Sequence, residues 1–389
     1  MPSSIRKALN GLPITLDDTY ERMLQGIPKE KFEHASRLFQ CMVAAFRPLR
    51  VEELAELFAI EFGANNMPNL VAGWRPENPE EAVLSTCSSF IAIIDDQDSK
   101  IVQFSHFSVK EFLTSNRLQL SNDWNIRQYY IPLEPAHAIL ARACVTVLLQ
   151  VDKDQEEKQF RALPLVSYAM DYWARHARFE DVASRIEDSL AYLFDPTMPY
   201  FKPRILVRCV MDMHDYPYEP GFFSGEPDKV TPLFLAAFCG FSGLVKHLII
   251  THAPDVSAEC GDRFSPLHGA SFNAQVDSAR ILLDNGAHVN AEGYKDLTPL
   301  HYTSYHGHSK ISRLLLEQGA NLNARTNDQD TPLCAASSSG CLETMRVLLE
   351  YGADVNVRGE SNLTPYQVAN QHGHHDVAQL LLESGAEIE

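Results

Sequence analysis

The segment Thr298-Pro-Leu-His301 decides the fold of the C-terminal half of this 389-residue chain, together with three further groups of residues placed at fixed distances behind it. Gly307 comes first, then Leu314-Leu315-Leu316, then Gly319-Ala320. The Thr-Pro pair, once Ser-Pro, occurs five times at successive spacings of 34, 33, 33 and 33 residues, beginning at Thr231, Ser265, Thr298, Thr331 and Thr364. Threonine caps a helix N-terminus, proline is tolerated in the first helical turn, and glycine ends a helix by taking a positive φ. Each period therefore predicts one turn and two helices.

A period of this length with these residues in phase is typical of ankyrin repeats, which stack side by side and bind other proteins. A single repeat cannot bury its leucine ridge alone, so at least three are needed for stability. We predict that Leu282, Leu315 and Leu348 lie in the interfaces between neighbouring repeats. The predicted repeats are 228–261, 262–294, 295–327, 328–360 and 361–389, and the last of them serves as a more polar cap.

The turns depart from the usual ankyrin pattern, which has glycine two residues before the threonine. The residues at that position here are Lys229, Arg263, Asp296, Gln329 and Asn362. Asp and Asn tolerate left-handed backbone geometry, whereas Lys, Arg and Gln do so poorly. In the second repeat, Ala274 also replaces the glycine that ends the first helix. We therefore expect strained or differently shaped turns.

Composition and charge exclude several classes of function. The chain is 45% apolar and 22% charged, as globular proteins are, and its formal net charge is −18. Such an acidic chain repels phosphate backbones and anionic lipid surfaces, so we predict no nucleic-acid partner and no membrane partner. The apolar stretch 138–151 is interrupted by Arg142 and is too short to span a bilayer, and the N-terminal residues lack the apolar core of a signal peptide. We expect a cytoplasmic protein.

The cysteines and histidines raise the question of a metal site. Eight cysteines form no C-x-x-C pair, so we predict that most are buried free thiols. Histidines cluster at His306 and His308 and at His372, His374 and His375. A metal site there is one interpretation, but Gly-His at a helix end belongs to the repeat pattern, and no acidic or cysteine ligands complete a tetrahedron nearby. We predict neither a metal nor another cofactor.

The N-terminal half predicts helices followed by a β-hairpin, as in a winged helix. The predicted helices span 17–27, 29–46, 51–60, 80–89 and 106–113, and the predicted strands span 90–95 and 101–104. Winged helices often bind DNA, but here Glu80, Glu81 and three aspartates of the hairpin face a single lysine, Lys100. A surface that reads DNA needs the opposite charge, which argues against a transcription regulator.

The predicted fold class is mainly α, with four parts. A winged-helix-like domain with a small β-hairpin covers 1–125, a helical segment 126–195, a proline-rich connector 196–227, and the ankyrin repeats 228–389. In the helical segment we expect helices over 132–151 and over 163–194, the second of them broken near Arg178. The connector has prolines that suit an extended chain, but its apolar residues 205–211 predict a short helix docked on the first repeat.

Several motifs of the N-terminal half resemble the segment that lies behind the ATPase core in fungal NACHT-type signalling ATPases. They are Leu12-Pro13 with Asp17 to Leu24, Arg47-Pro48-Leu49, Cys87-Ser88-Ser89, and His106-Phe107-Ser108-Val109-Lys110-Glu111-Phe112-Leu113. That segment is named the GPI inositol-deacylase winged helix. Residues 163–177 resemble the helical piece that comes after it, and such proteins commonly end in ankyrin repeats. The resemblance implies the sensor part of an NTP-driven switch in non-self recognition or cell death.

Catalytic motifs are missing from this sequence. No G-x-x-x-x-G-K-[ST] phosphate-binding loop and no G-x-S-x-G nucleophile elbow occurs in it. His106 and Ser108 at a helix start are better explained by capping than by catalysis. We therefore predict a non-enzymatic scaffold or sensor. The alternative is the regulatory part of a NACHT-type ATPase, with the nucleotide-binding core as a separate partner.

The repeat phase also predicts where a protein partner binds. The positions that point into the concave groove are Phe238, Cys239, Phe272, Asn273, Tyr305, His306, Ser338, Ser339, Gln371 and His372, with Val230, Phe264, Leu297, Asp330 and Leu363 before each threonine. Exposed contiguous aromatic residues are typical of binding anchors. We predict that an aromatic stripe binds the partner; its residues are Phe238, Phe264, Phe272, Asn273, Leu297, Tyr305 and His306. The alternative is that the preceding helices or a neighbouring domain cover this stripe.

Overall fold

The structure is a computed structural model that describes residues 15–62, 69–96, 99–151, 163–197, 206, 229–261, 263–359 and 362–387. The chain divides into two compact units, Met1–Ser189 and Leu190–Glu389. Both are mainly helical, which confirms the predicted fold class. The exact domain bounds remain predictions, and the predicted helix at 205–211 falls outside the described residues except for Leu206.

The first unit contains ten α-helices and five strands among its described residues, and an eleventh α-helix crosses into the second unit. The helices are α1 Leu16–Gln25, α2 Phe32–Ala44, α3 Val51–Glu56, α4 Pro79–Cys87, α5 Ser108–Leu113, α6 Asn116–Gln119, α7 Trp124–Arg127, α8 Leu133–Leu148, α9 Leu165–Ala177, α10 Val182–Arg185 and α11 Glu187–Leu193. The strands are β1 Leu49–Arg50, β2 Ile60–Glu61, β3 Asn69–Leu70, β4 Ile91–Asp96 and β5 Ser99–Phe104. The predicted break at Arg178 is present, and two short helices come after it instead of one.

The predicted hairpin is part of a three-stranded sheet in the order β1-β5-β4. Strand β4 pairs antiparallel with β5, where Ile93 faces Val102, and β1 pairs with the other edge of β5, where Leu49 faces Val102. The third strand was not predicted because Leu49 and Arg50 are too short to show alternation. Strands β2 and β3 form a separate two-stranded ladder.

An aromatic core holds the winged helix together. Helix α1 begins with a capping box, in which the Thr15 hydroxyl accepts from the Asp18 N–H at 3.1 Å. It buries Tyr20, whose ring lies 5.3 Å from Phe112. Helix α2 buries Phe39, which meets Phe90 edge to face at 5.3 Å, a favourable aromatic geometry. The stripe predicted from the 3.6-residue spacing of α2 therefore faces the core.

The second unit contains five helix pairs at the predicted repeat positions. They are α12 Pro232–Cys239 with α13 Ser242–His252, α14 Pro266–Phe272 with α15 Val276–Asp284, α16 Pro299–Tyr305 with α17 Ser309–Glu317, α18 Pro332–Ser339 with α19 Leu342–Glu350, and α20 Pro365–Gln371 with α21 His375–Glu383. Leu282, Leu315 and Leu348 are each 0% exposed, so their predicted burial is confirmed. The first helices contact one another in sequence, α12 with α14 and onward to α20, as repeats in register do.

Helix ends match the residues that the repeat pattern assigns to them. The hydroxyl of Thr231 accepts from the Phe234 N–H at 3.2 Å, and Thr331 caps α18 in the same way. Gly240 ends α12 with φ +80°. Ala274 takes the same place after α14 with φ +57°, which costs an L-residue about 1–2 kcal/mol.

Candidate functional site

The turns beside the concave groove hold left-handed residues that are not glycine. Arg263 has φ +68°, Asp296 +59°, Gln329 +67° and Asn362 +62°. The expected strain is therefore present at Arg263 and Gln329, which occupy that region at a cost, whereas Asp296 and Asn362 tolerate it. Strain of this kind persists only where the surrounding packing fixes the turn, so the tips that border the groove are held in place.

A histidine ladder ties each of two repeats to the next one. In the third repeat, the Thr298 N–H donates to His301 Nδ1 at 3.1 Å, and His301 Nε2 lies 3.2 Å from the Asp330 carbonyl oxygen. His268 joins Ser265 to the Leu297 carbonyl in the same way. Because Nδ1 accepts from a backbone N–H, the proton sits on Nε2, which donates to the next repeat. Burial lowers the pKa of both histidines to about 4, so both are neutral at pH 7.

A second ladder connects the C-terminal ends of the first helices. His308 Nε2 lies 2.9 Å from the Phe272 carbonyl, His374 Nε2 lies 3.0 Å from the Ser338 carbonyl, and Cys341 donates to the Tyr305 carbonyl at 3.4 Å. Burial lowers the pKa of His308. These bonds satisfy carbonyls that a helix end leaves open. Hydrogen bonds therefore link successive repeats at the ends of their first helices.

Two residues of the predicted aromatic stripe are buried, which corrects the expectation that they are exposed. Phe238 is 2% exposed, and its ring stacks on Phe272 at 5.9 Å. Phe264 is 1% exposed and meets Tyr302 at 5.9 Å. Large rings then lie sideways across the neighbouring repeat, where they remove more apolar area from water.

The other residues of the stripe are partly exposed. Asn273 is half-buried, and its amide donates to the Phe238 carbonyl at 2.9 Å, which is a structural role. Phe272 is half-buried against His306, with ring centroids 4.5 Å apart. Leu297 is half-buried, and Tyr305 is 45% exposed.

A cavity of about 530 Å³ opens on the third to fifth repeats. Its lining includes Lys295, Leu297, Tyr302, Tyr305, Asp328, Asp330, Ser338, Leu363, Val368, Gln371 and His372. We call this feature the groove cavity. Tyr305 and Leu297 are the members of the predicted stripe that reach it. The repeat phase had also put Asp330, Ser338, Leu363, Gln371 and His372 on this face, but the weight given to aromatic residues favoured the first three repeats. Lys295 and Asp328 were missed because the turn tips have no helical phase.

His106 and Ser108 lie at the start of α5 with Tyr20 beside them. Ser108 Oγ is 2.6 Å from His106 Nδ1 and 2.8 Å from Tyr20 Oη, and the Ser108 N–H also donates to the histidine at 3.3 Å. The arrangement closes the first turn of the helix, as a cap does. It gives His106 a local bonding role.

Among the described residues, no group of three or more His, Cys, Asp or Glu side chains is placed to hold a metal ion. Six of the eight cysteines are buried thiols, as predicted, and Cys341 is half-buried. In the part of the chain that the structure describes, no helix has both the length and the apolar character needed to cross a bilayer.

Three family models match this chain. The model described as "GPI inositol-deacylase, winged helix domain" matches residues 4–127. The model described as "Ankyrin repeats (3 copies)" matches residues 206–293 and 291–359, and the single "Ankyrin repeat" model matches residues 361–389. The chain therefore has a winged helix domain of the GPI inositol-deacylase type followed by ankyrin repeats. Both parts were predicted from the sequence, and this coarse organisation is confirmed.

Two curated proteins are similar to the chain. One is azaphilone pigments biosynthesis cluster protein L of Monascus ruber, 26% identical over 295 residues, which are 72% of this chain and 61% of that protein. The other is alpha-latrocrustotoxin-Lt1a of Latrodectus tredecimguttatus, 40% identical over 58 residues, which are 15% of this chain and 4% of the toxin. The chain spans about three fifths of the first relative and a small part of the second.

Proposed function

We propose that this chain is a non-catalytic, cytoplasmic interaction protein that binds another protein through the concave face of its ankyrin repeats. The observation that carries the proposal is Tyr305, an aromatic side chain 45% exposed in a cavity of about 530 Å³. Binding anchors are enriched in tyrosine, and ligand sites typically measure about 300–1,000 Å³. Ankyrin repeats are non-catalytic modules, which supports the same interpretation.

The strongly shifted titratable groups also support a role without catalysis. Burial lowers the pKa of His268 and His301 to about 4, and both rings are fully used in cap and inter-repeat bonds. In the first unit, burial lowers the pKa of His137 to about 4 and that of His176 to about 2. Catalytic groups with shifted pKa values normally line a cleft that a substrate can enter. His301 touches the groove cavity, but it is 1% exposed and both of its ring nitrogens are hydrogen-bonded; the other three histidines are at most 5% exposed.

Replacement of the exposed anchor tests the proposal. Tyr305→Ala removes the aromatic ring from the groove cavity, and we expect loss of the proteins captured by the full chain in quantitative mass spectrometry. Phe272→Ala supplies a second variant at the neighbouring repeat. The matched control is Tyr351→Ala, because Tyr351 is 39% exposed but lies at the end of α19 outside the cavity. Unchanged capture by a folded Tyr305→Ala protein, judged by circular dichroism and melting temperature, would contradict the proposal.

A second candidate is the regulatory part of a NACHT-type signalling ATPase. The match to the GPI inositol-deacylase winged helix favours it. In that case the partner is a nucleotide-binding core. Sequencing of the full transcript distinguishes the two candidates. A phosphate-binding loop encoded in the same reading frame upstream supports the regulatory role. A stop codon directly upstream of Met1 excludes a nucleotide-binding core in the same polypeptide.

A further inference from the structure

We propose that the open edge of strand β4 binds an extended segment of a partner protein, which joins the sheet as an antiparallel fourth strand with a lysine or arginine at its N-terminal end. This inference goes beyond the proposed function, because it concerns a surface of the first unit and does not depend on the groove cavity. Strand β4, Ile91–Asp96, is an edge of the three-stranded sheet β1-β5-β4. An edge strand presents backbone groups that no neighbouring strand of its own sheet uses.

The hydrogen bonds of the hairpin show which backbone groups point to this edge. The Ser105 N–H donates to the Phe90 carbonyl at 2.8 Å, and these two residues continue the register of β4 and β5, so they form a hydrogen-bonded pair. Bonded and non-bonded pairs alternate along an antiparallel ladder. The alternate residues Ile91, Ile93 and Asp95 therefore turn their N–H and C=O groups away from β5. Within the described ranges, no other backbone group is hydrogen-bonded to them.

The sequence of β4 leaves this edge without the usual protection against pairing. Sheets commonly blunt an edge with a proline, a lysine, a bulge or a very short strand. Strand β4 reads Ile-Ala-Ile-Ile-Asp-Asp, and its pairing with β5 is continuous over all six residues. On one face, Ile94 is 45% exposed and Ala92 is half-buried. An added strand would cover this apolar surface, which favours β-branched residues at alternate positions of the segment.

The size of the edge and the charge of the chain favour an extended segment over a second copy. Six residues make an edge about 20 Å long, whereas a stable interface between two folded proteins buries about 1,200–2,000 Å² in total. The net charge of −18 adds repulsion between two copies. An extended segment can instead follow the whole edge, where main-chain hydrogen bonds supply its affinity.

The acidic end of β4 selects the charge and the direction of the segment. Asp95 and Asp96 are both exposed at this end. Asp95 lies opposite Lys100, whose ammonium is also 2.6 Å from a carboxylate oxygen of Glu80, and Asp96 lies opposite the uncharged Ser99. Antiparallel pairing is slightly more stable per residue than parallel pairing, and it places the N-terminal end of the segment beside the two aspartates. A lysine or arginine is attracted there, and an acidic residue is repelled.

A designed peptide tests the inference with the full chain. The probe is Lys-Lys-Val-Thr-Val-Thr-Val with blocked ends and an uncharged fluorophore. Its matched control is the reversed sequence, which has the same composition but carries the lysines at the C-terminal end. We expect the probe to bind in fluorescence anisotropy and the reversed peptide to bind about fivefold more weakly, as the loss of an exposed charge pair predicts.

Amide hydrogen exchange locates the bound peptide residue by residue. In the free chain we expect fast exchange at Ile93 and Asp95, whose N–H groups point outward, and slow exchange at Ala92 and Ile94, whose N–H groups bond to β5. The probe at about ten times its Kd should slow exchange at Ile93 and Asp95 about tenfold and leave Ala92 and Ile94 nearly unchanged. Nuclear magnetic resonance of the isotopically labelled chain measures each amide. Protection of alternate residues is specific to an added strand.

Two substitutions of Ile93 separate the backbone from the side chain. Ile93→Pro removes the outward N–H and no bond to β5, at a kind of position where edge strands tolerate proline, and we expect about a tenfold loss of affinity for the probe. Ile93→Ala also shortens the side chain but keeps the N–H, and we expect a loss of less than about threefold. Circular dichroism checks that both proteins are folded.

A charge reversal keeps the test decisive if Ile93→Pro does not fold. Asp96 is exposed, so Asp96→Lys should leave the fold intact. We expect Asp96→Lys to weaken the probe about fivefold and to strengthen binding of the acidic peptide Glu-Glu-Val-Thr-Val-Thr-Val by a similar factor. Equal affinities of the wild type and Asp96→Lys for both peptides would contradict the assigned direction and charge.

Several other outcomes would overturn the proposal. Slow exchange at Ile93 and Asp95 in the free chain would mean that the edge is already covered. No binding at about 1 mM probe, equal binding of the reversed peptide, or equal binding by folded Ile93→Pro and Ile93→Ala proteins would also contradict it. Protection of Ile93 that rises with protein concentration alone would mean that a second copy pairs with the edge. None of these outcomes bears on capture through the groove cavity, which Tyr305→Ala tests separately.

Discussion

The buried histidines of one compact unit repeat the same hydrogen bonds in successive repeats, whereas those of the other unit form a single cluster. In the repeats, His268 and His301 make the same bonds at two successive places, each to the residue three before it and to a carbonyl 29 residues after it. In the first unit, His137 Nδ1 lies 2.7 Å from His176 Nδ1, and His176 Nε2 lies 2.8 Å from Tyr168 Oη. That cluster has no second copy among the described residues. The hydrogen bonds of the buried histidines therefore follow the repeat period in the second unit and occur once in the first.

The periodic unit should show its largest response at the repeat interfaces. Leu348 is 0% exposed between neighbouring repeats, so Leu348→Ala should lower the free energy of unfolding by about 2–5 kcal/mol. The adjacent Leu349 is half-buried, and Leu349→Ala should cost clearly less because less apolar surface is lost. Urea unfolding followed by circular dichroism measures both variants. Equal costs would mean that the repeat phase is assigned one residue out of register.

This periodicity explains why the sequence predicted the repeats so closely. The position of Leu348 is obtained from that of Leu315 by adding 33 residues, and the same addition takes Thr298 to Thr331. A contact between neighbouring repeats can thus be predicted from the spacing of 33 residues alone. The repeat spacing could not predict that the rings of Phe238 and Phe264 pack against the next repeat, because ring packing depends on the volume available there.

The unique cluster should show an intermediate response when one hydroxyl is removed. Tyr168 Oη accepts from the Phe46 N–H at 3.2 Å and also bonds His176, which is 0% exposed. Tyr168→Phe leaves the buried His176 and the Phe46 N–H without that partner and should cost about 1–3 kcal/mol. Tyr172→Phe is the matched control, since its ring is half-exposed and its hydroxyl takes no part in these bonds. Thermal unfolding monitored in the near-ultraviolet reports the difference. A cost no larger than that of the control would show that water replaces the hydroxyl.

The sequence predicted the helices that carry this cluster but not the cluster itself. The apolar spacing indicated helices over 132–151 and 163–194, and α8 and α9 lie within these ranges. His137 and His176 are 39 residues apart, and no motif relates them to each other or to Phe46. Side-chain pairs between different helices depend on the crossing geometry, which the spacing along a single helix does not specify. The cluster was therefore less predictable than the helices that carry it.

The last effect concerns pH, and it compares a cap that contains a histidine with one that contains no titratable group. The pKa of His301 is about 4 in the folded chain and near 6.5 in an unfolded one. Between these values the unfolded chain binds more protons, so stability is fully present above about pH 6.5 and falls as pH drops toward 4. The slope is about 1.4 kcal/mol per pH unit for each such histidine. The fifth repeat has Gln367 at the same position, where its Oε1 accepts from the Thr364 N–H at 2.9 Å. His301→Gln should therefore keep the cap and reduce the acid dependence by about one histidine's share, whereas His268 keeps its own contribution in the same protein. Urea titrations of both proteins at a series of pH values measure the slopes, and identical slopes would mean that His301 is protonated in the folded repeats.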